Sequence, residues 1–169
     1  VEMGRATFQP AALPCTLTAR ELIEQPIDAA GQSLTFTGVS VGNPHCVVFK
    51  PAEQAWSRED LLKLGPALEN HALFPKRTNV QLAVPTGPRE LFILIWERGA
   101  GETQASGSSS CAAASAAVRL GLVKSPVTVK MPGGQLNIEV TADFSLTMKG
   151  PVAEVARGSL SPSFVRSLR

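Results

Sequence analysis

With 169 residues, 44% of them hydrophobic, the chain is long enough for one ordinary domain with a proper core, and no second core needs to be invoked. A net charge of +2 with dispersed Lys and Arg argues against nucleic acid as a partner, no run approaches the roughly 18 apolar residues of a membrane span, and the first five residues lack a signal-peptide layout, so a soluble cytoplasmic protein is the default. Cys15, Cys46 and Cys111 are too scattered for a disulfide framework, and His45 and His71 lack C-x-x-C or H-E-x-x-H company, so no metal site is expected.

In chain order, residues 1–8 read as a strand; no initiator Met precedes them, and the expectation is a domain cut from a longer protein. Runs over 33–41 and 46–49 follow, separated by Gly42-Asn43-Pro44-His45-Cys46. Asn-Pro is a turn signal and His45 a strand-entry residue, but Asn43 can also bind a polar substrate and His45 can tune a nearby acid or base. Ser57, Glu59 and Asp60 give an acidic, capped start to a surface helix over 61–70, whose Leu61, Leu62, Leu64 and Leu68 form a stripe that covers a sheet, with Pro66 as a kink or early stop. Arg77-Thr78-Asn79-Val80 opens a strand over 79–84; Asn79 is either a solvated strand end or a reader of an amino acid's carboxylate or ammonium.

The strand over 91–96 ends in Glu97-Arg98, a salt bridge or solvated end in the plain reading, and in the functional one a bidentate carboxylate holder (Arg98) with an acid beside a reacting group (Glu97). Gly99, Gly101 and Gly107 then supply turns, and Ser108 to Ser110 offer capping hydroxyls to a helix over 109–120 that ends at Gly121. A helix this small and apolar all round belongs inside a domain, so its free N-terminal N–H groups face whatever fills the cleft above, with Gly107 and Ser108 placed to hold a carboxylate. Strands over 127–131, 136–140, 145–148 and 152–155 make a β-rich C-terminal part, with Pro132-Gly133-Gly134 as a hairpin turn, and the Ser-rich tail 159–169 frays or docks on a partner. Short side chains permit close helix-to-sheet approach, and the fold class that follows is α+β: a strongly curved, mainly antiparallel sheet wrapped around a buried Ala-rich central helix.

Three motifs, G-N-P-H-C (42–46), R-T-N-V (77–80) and E-R-G-A-G-E-T-x-A-x-G-S (97–108), in this order and spacing, resemble the C-terminal half of the diaminopimelate epimerase family, and V-E-M-G-R-A-T-F resembles its entry into the second domain. The resemblance covers essentially the whole chain, read as a single domain over 1–169. It implies two similar lobes with the site between them, the first absent here, and an isomerase of lysine and bacterial cell-wall precursor biosynthesis that interconverts LL- and meso-diaminopimelate without pyridoxal phosphate or any other cofactor. It further implies two cysteines flanking the α-carbon, one from each lobe. Asn43, Asn79, Glu97 and Arg98 would contact substrate, Gly107 and Ser108 would hold its α-carboxylate, and His45 with Glu97 would poise the second catalytic residue.

At that second catalytic position the family pattern has A-C-G-[ST] and this chain has Ala105-Ser106-Gly107-Ser108. Cys111 lies five residues on and cannot substitute. A thiol has a pKa near 8.5 and is partly ionised at neutrality; a serine hydroxyl is far too weak an acid to match it. Three readings stay open: loss of function at Ser106, an asymmetric subgroup with one thiol, or a different amino or hydroxy acid turned over by a related racemase, isomerase or dehydratase. Outside the resemblance stand a hydrolase with Ser106, His45 and Glu97 as triad, for which the G-x-S-x-G elbow is missing, and a non-catalytic carboxylate-binding domain. The expected partners are an amino-acid substrate and, across the exposed face, the first lobe or a second chain.

Overall fold

The structure is a computed structural model that describes residues 1–168; Arg169, the end of the expected tail, lies outside the described residues. Among the described residues ten strands form one sheet: β1 (Glu2–Arg5), β2 (Gln25–Ala29), β3 (Gln32–Ser40), β4 (Pro44–Phe49), β5 (Asn79–Gly87), β6 (Glu90–Glu97), β7 (Gly101–Thr103), β8 (Val127–Met131), β9 (Gly134–Val140) and β10 (Ser145–Lys149). The helices are α1 (Arg58–Glu69), α2 (Gly107–Arg119) and a short α3 (Pro162–Ser167). The strand order is β1-β10-β9-β8-β6-β5-β4-β3-β2, with β7 paired to β6.

The central strands are buried on both faces, and their alternation sorts residues between two cores. On β5, Val80, Leu82 and Val84 join the cluster under α1, whereas Ala83 joins the one around α2; on β4, Cys46 and Val48 face α1 and Val47 faces α2. Helix α2 touches β3, β4, β5, β6, β8, β9 and β10, which is possible only because the sheet bends round it. The bend is deep enough that Thr7, just past β1 on one edge, exchanges backbone hydrogen bonds of 3.0 and 2.8 Å with Ser40 of β3 near the other, although the sheet does not close.

The composition of α2 makes this wrapping possible. Residues 111 to 117 are fully buried, and only Ala, Ser and Cys are small enough for strands to approach on all sides. Its C-terminus is a Schellman ending, with Leu122 N–H donating to Ala117 O at 2.9 Å across Gly121 at φ +72°. The helix begins at Gly107 rather than at the expected 109, because Ser106 and not a later serine is the N-cap.

Other expectations are revised in detail. The sheet is mainly antiparallel, but β4 pairs with β5 and β6 with β8 in parallel, since each pair is joined through a helix, α1 or α2, long enough for a crossover. Helix α1 has the full capping box of Ser57 and Asp60, and it buries Leu61, Leu64 and Leu68 while leaving Leu62 43% exposed. Pro66 lies inside the helix and does not stop it; the carbonyl it fails to pair is that of Leu62, on the solvent side. The expected strand over 152–155 is coil, with Val152 and Val155 almost fully exposed, because β1 already occupies the free edge of β10 beside it. Among the described residues no helix is long and apolar enough to cross a membrane.

If close approach to α2 sets the sheet's curvature, enlarging one of its buried alanines must be costly. Ala113→Leu is expected to lower unfolding stability in urea by about 1–3 kcal/mol or more, while Leu62→Ala on the exposed face of α1 stays within about 0.5 kcal/mol.

Candidate active site

The polar residues singled out along the chain converge where β4 and β5 start, β6 ends and α2 begins. Because β4 and β5 run parallel with His45 opposite Asn79, both residues enter the sheet at one rim. Asn79, buried, is anchored from two sides: its Nδ2–H donates to Pro44 O at 2.8 Å and its Oδ1 accepts from Arg98 N–H at 3.0 Å. One amide thus ties the G-N-P-H turn to the turn after β6. The Arg98 guanidinium is exposed and donates to Lys76 O at 3.3 Å, and Glu97, half-buried, pairs its backbone with Gly101 while forming no ion pair with Arg98.

His45 is fully buried and points to the α2 side of the sheet. Its Nε2 lies 3.0 Å from Asn43 Oδ1, so the ring donates there. Burial lowers its pKa from 6.5 to about 4; the Gln81 amide opposes the shift and the Arg98 guanidinium adds to it. The ring is therefore neutral at physiological pH, a hydrogen-bonding group and not a cation.

At the start of α2, Ser106 caps the helix: its Oγ accepts from Ser109 N–H at 3.4 Å and its carbonyl from Ser110 N–H at 3.1 Å. The N–H groups of Gly107 and Ser108 have no acceptor among the described residues, as the first turn of a helix dictates. A Cβ at Gly107 would stand 3.0 Å from Met148 Sδ, so the end of that side chain would have to give way to any larger residue. Ser106 and Gly107 open onto a cavity of about 290 Å³ whose other wall is the β8–β9 hairpin, held in place by Gly133 N–H donating to Gln104 O at 2.7 Å. Two adjacent free N–H groups with the positive end of a helix dipole make a carboxylate-binding arrangement.

Ser106 and His45 do not form a hydrolytic pair. Among the described residues no hydrogen bond joins them; the Ser106 hydroxyl is turned into the cap, and a histidine with a pKa about 4 is a weak base for it. Cys111, fully buried inside α2 with its thiol pushed up to about 11 by that burial, is inert at this site.

Two structural members of the site escaped the sequence reading. Glu69, 5% exposed, accepts from Trp96 Nε1–H and Gly99 N–H, both at 2.8 Å, and from Arg77 Nη1 at 3.2 Å, so it fixes the turn that carries Glu97 and Arg98. An acid in the last turn of a helix, where the dipole disfavours it, was the available signal. The other is Gln81, a lone amide within the apolar run of β5 whose Nε2 lies 3.0 Å from Ser109 Oγ.

This geometry defines a class before it defines a relative: an α+β unit with a curved sheet around a buried helix whose open N-terminus faces a polar rim. The sequence profile of diaminopimelate epimerase matches residues 37–155, and the chain belongs to that family. It is 41% identical over 160 residues to the diaminopimelate epimerase of Desulfitobacterium hafniense, covering 95% of this chain and 56% of that protein. It is 42% identical over 161 residues to diaminopimelate epimerase 2 of a Nostoc species, covering 95% and 55%. The chain therefore spans about half the length of the curated relatives it matches. Among solved structures, one described as a predicted epimerase from Pseudomonas aeruginosa shares the fold with a TM-score of 0.56 and 22% identity, over 94% of this chain and 57% of that one.

The buried ring makes a prediction about pH. Between pH 6.5 and about 4 the unfolded chain binds a proton at His45 that the folded one refuses, so stability is complete above the upper value and is lost as pH falls toward the lower. The loss attributable to His45 approaches roughly 3 kcal/mol. His45→Gln is expected to flatten the difference in urea-unfolding free energy over this window; an equally steep loss in the variant would contradict it.

Proposed function

We propose that this chain is the second lobe of a two-lobed, cofactor-independent amino-acid epimerase acting at the α-carbon of diaminopimelate. The observation that carries the reading is the pair of free N–H groups at Gly107 and Ser108, above a capped and buried helix, beside the Asn43, His45, Asn79 and Arg98 rim. The N–H pair and the helix dipole hold the α-carboxylate and stabilise the negative charge that spreads onto it when the α-proton leaves. Asn43, Asn79, Glu97 and Arg98 face the rest of the substrate, with Arg98 suited to a second carboxylate. His45, neutral and hydrogen-bonded to Asn43, shapes the environment of position 106 without itself carrying charge.

Two-base epimerisation needs a proton acceptor on one face and a donor on the other. Ser106 occupies the position of one of these groups, and a hydroxyl serves better as donor or relay than as carbon-acid base. The first lobe supplies the other group, so the isolated lobe is inactive. Family membership and about 40% identity to proteins named diaminopimelate epimerase support this substrate over other amino or hydroxy acids.

The test is loss of the α-proton signal of diaminopimelate in D2O, followed by NMR with the two-lobed protein. Ser106→Cys is expected to raise the exchange rate by about 10²-fold or more. No exchange in either form overturns the epimerase reading, and equal rates in the two overturn the role assigned to position 106.

A further inference from the structure

Gln81 is fully buried on β5, on the face turned to α2, where its amide contacts Ser109 and acts on the His45 ring. It sits one strand across from His45: His45 is opposite Asn79 and Val47 opposite Gln81, so the two side chains are diagonal neighbours on the same face. The Gln81 Nε2 to Ser109 Oγ separation is 3.0 Å. That leaves Gln81 Oε1 without a partner, and the other orphaned buried side-chain atom among the described residues is His45 Nδ1. With Nε2–H committed to Asn43, Nδ1 carries a lone pair, so the two orphans, on diagonal neighbours of one buried face, are both acceptors.

We propose that Gln81 is a positioning residue of the site: its amide donates from Nε2 to His45 Nδ1 and accepts the Ser109 hydroxyl proton at Oε1. Exchanging the amide oxygen and nitrogen moves no other heavy atom, retains the 3.0 Å contact to Ser109 with the hydroxyl as donor, and puts Nε2–H where Oε1 stood, so that the amide offers a donor to His45 Nδ1. A continuous chain results. Asn43 Oδ1 accepts from His45 Nε2–H, His45 Nδ1 accepts from Gln81, Gln81 Oε1 accepts from Ser109, and Ser109 N–H donates to Ser106 Oγ. This locks His45 as the neutral Nε2–H tautomer and fixes the first turn of α2 against β4 and β5. Its consequence for turnover rests on the epimerase reading above: the N–H groups of Gly107 and Ser108 and the hydroxyl of Ser106 are held in register with the Asn43 rim, where a shift of an ångström would misplace the substrate carbon.

The experiment is long-range ¹H–¹⁵N correlation NMR of the histidine rings of the full two-lobed protein at neutral pH, with His45→Gln used to assign the His45 signals by their loss. His45 is expected to show the neutral Nε2–H pattern, and an Nδ1–H tautomer or an imidazolium would overturn the proposal. In Gln81→Glu, whose ionised carboxylate accepts only, the His45 proton is expected to move to Nδ1 or the ring to become charged; an unchanged His45 spectrum in a folded variant would overturn it as well. Gln81→Met is expected to lower kcat for α-proton exchange about tenfold with a smaller effect on KM, and an unchanged kcat contradicts positioning. The tautomer is read without substrate, so a wild-type protein that exchanges no α-proton would remove the epimerase reading and leave the hydrogen-bond chain to be judged by its own spectrum.

Discussion

The structure depends on one constraint, the complete burial of a helix. Residues 111 to 117 of α2 have no solvent contact, and everything around them follows: side chains no larger than Ala, Ser and Cys, a sheet bent until Thr7 reaches Ser40, and strands from both halves of the chain sharing one core. A buried helix must still leave its first N–H groups unpaired within itself. Ser106 satisfies the one at Ser109, the Ser106 carbonyl takes that of Ser110, and those of Gly107 and Ser108 are left at an opening. The opening exists because the fold buries a helix and cannot bury its N-terminus.

The electrostatics of the rim are consistent with an anion at that opening. His45 is kept neutral by burial, so it contributes direction and not charge, while the exposed Arg98 guanidinium supplies the cation. The buried acid nearby, Glu69, has its carboxylate committed to Trp96, Gly99 and Arg77, and it serves as an anchor for the turn after β6. Asn79 is likewise committed on both ends of its amide to backbone groups of that rim, so its contribution to any ligand is through the shape it imposes as much as through its own polar atoms.

Much of this was legible in the sequence where a local signal and a global requirement coincide. The all-small run from Cys111 to Ala117 announces a buried helix because no surface helix needs it, and Ser57 with Asp60 announces a helix start because the capping box is made within four residues. The turn at Pro132-Gly133 was readable for the same reason. What was hidden depends on partners far along the chain. The parallel pairing of β4 with β5 is set by where α1 packs, the exposure of Leu62 by which side of α1 meets the sheet, and the coil at Val152 to Val155 by β1 taking the edge of β10. Gln81 and Glu69 look like ordinary polar residues until the sheet brings His45 and Gly99 to them.

The proposed carboxylate site is the N-terminus of α2. The most direct measurement is an amide ¹H–¹⁵N titration of the labelled two-lobed protein with diaminopimelate. The largest shifts are predicted at Gly107 and Ser108, with smaller ones at Asn43 and Arg98. Saturable binding that moves other amides and leaves Gly107 and Ser108 unmoved would contradict the account.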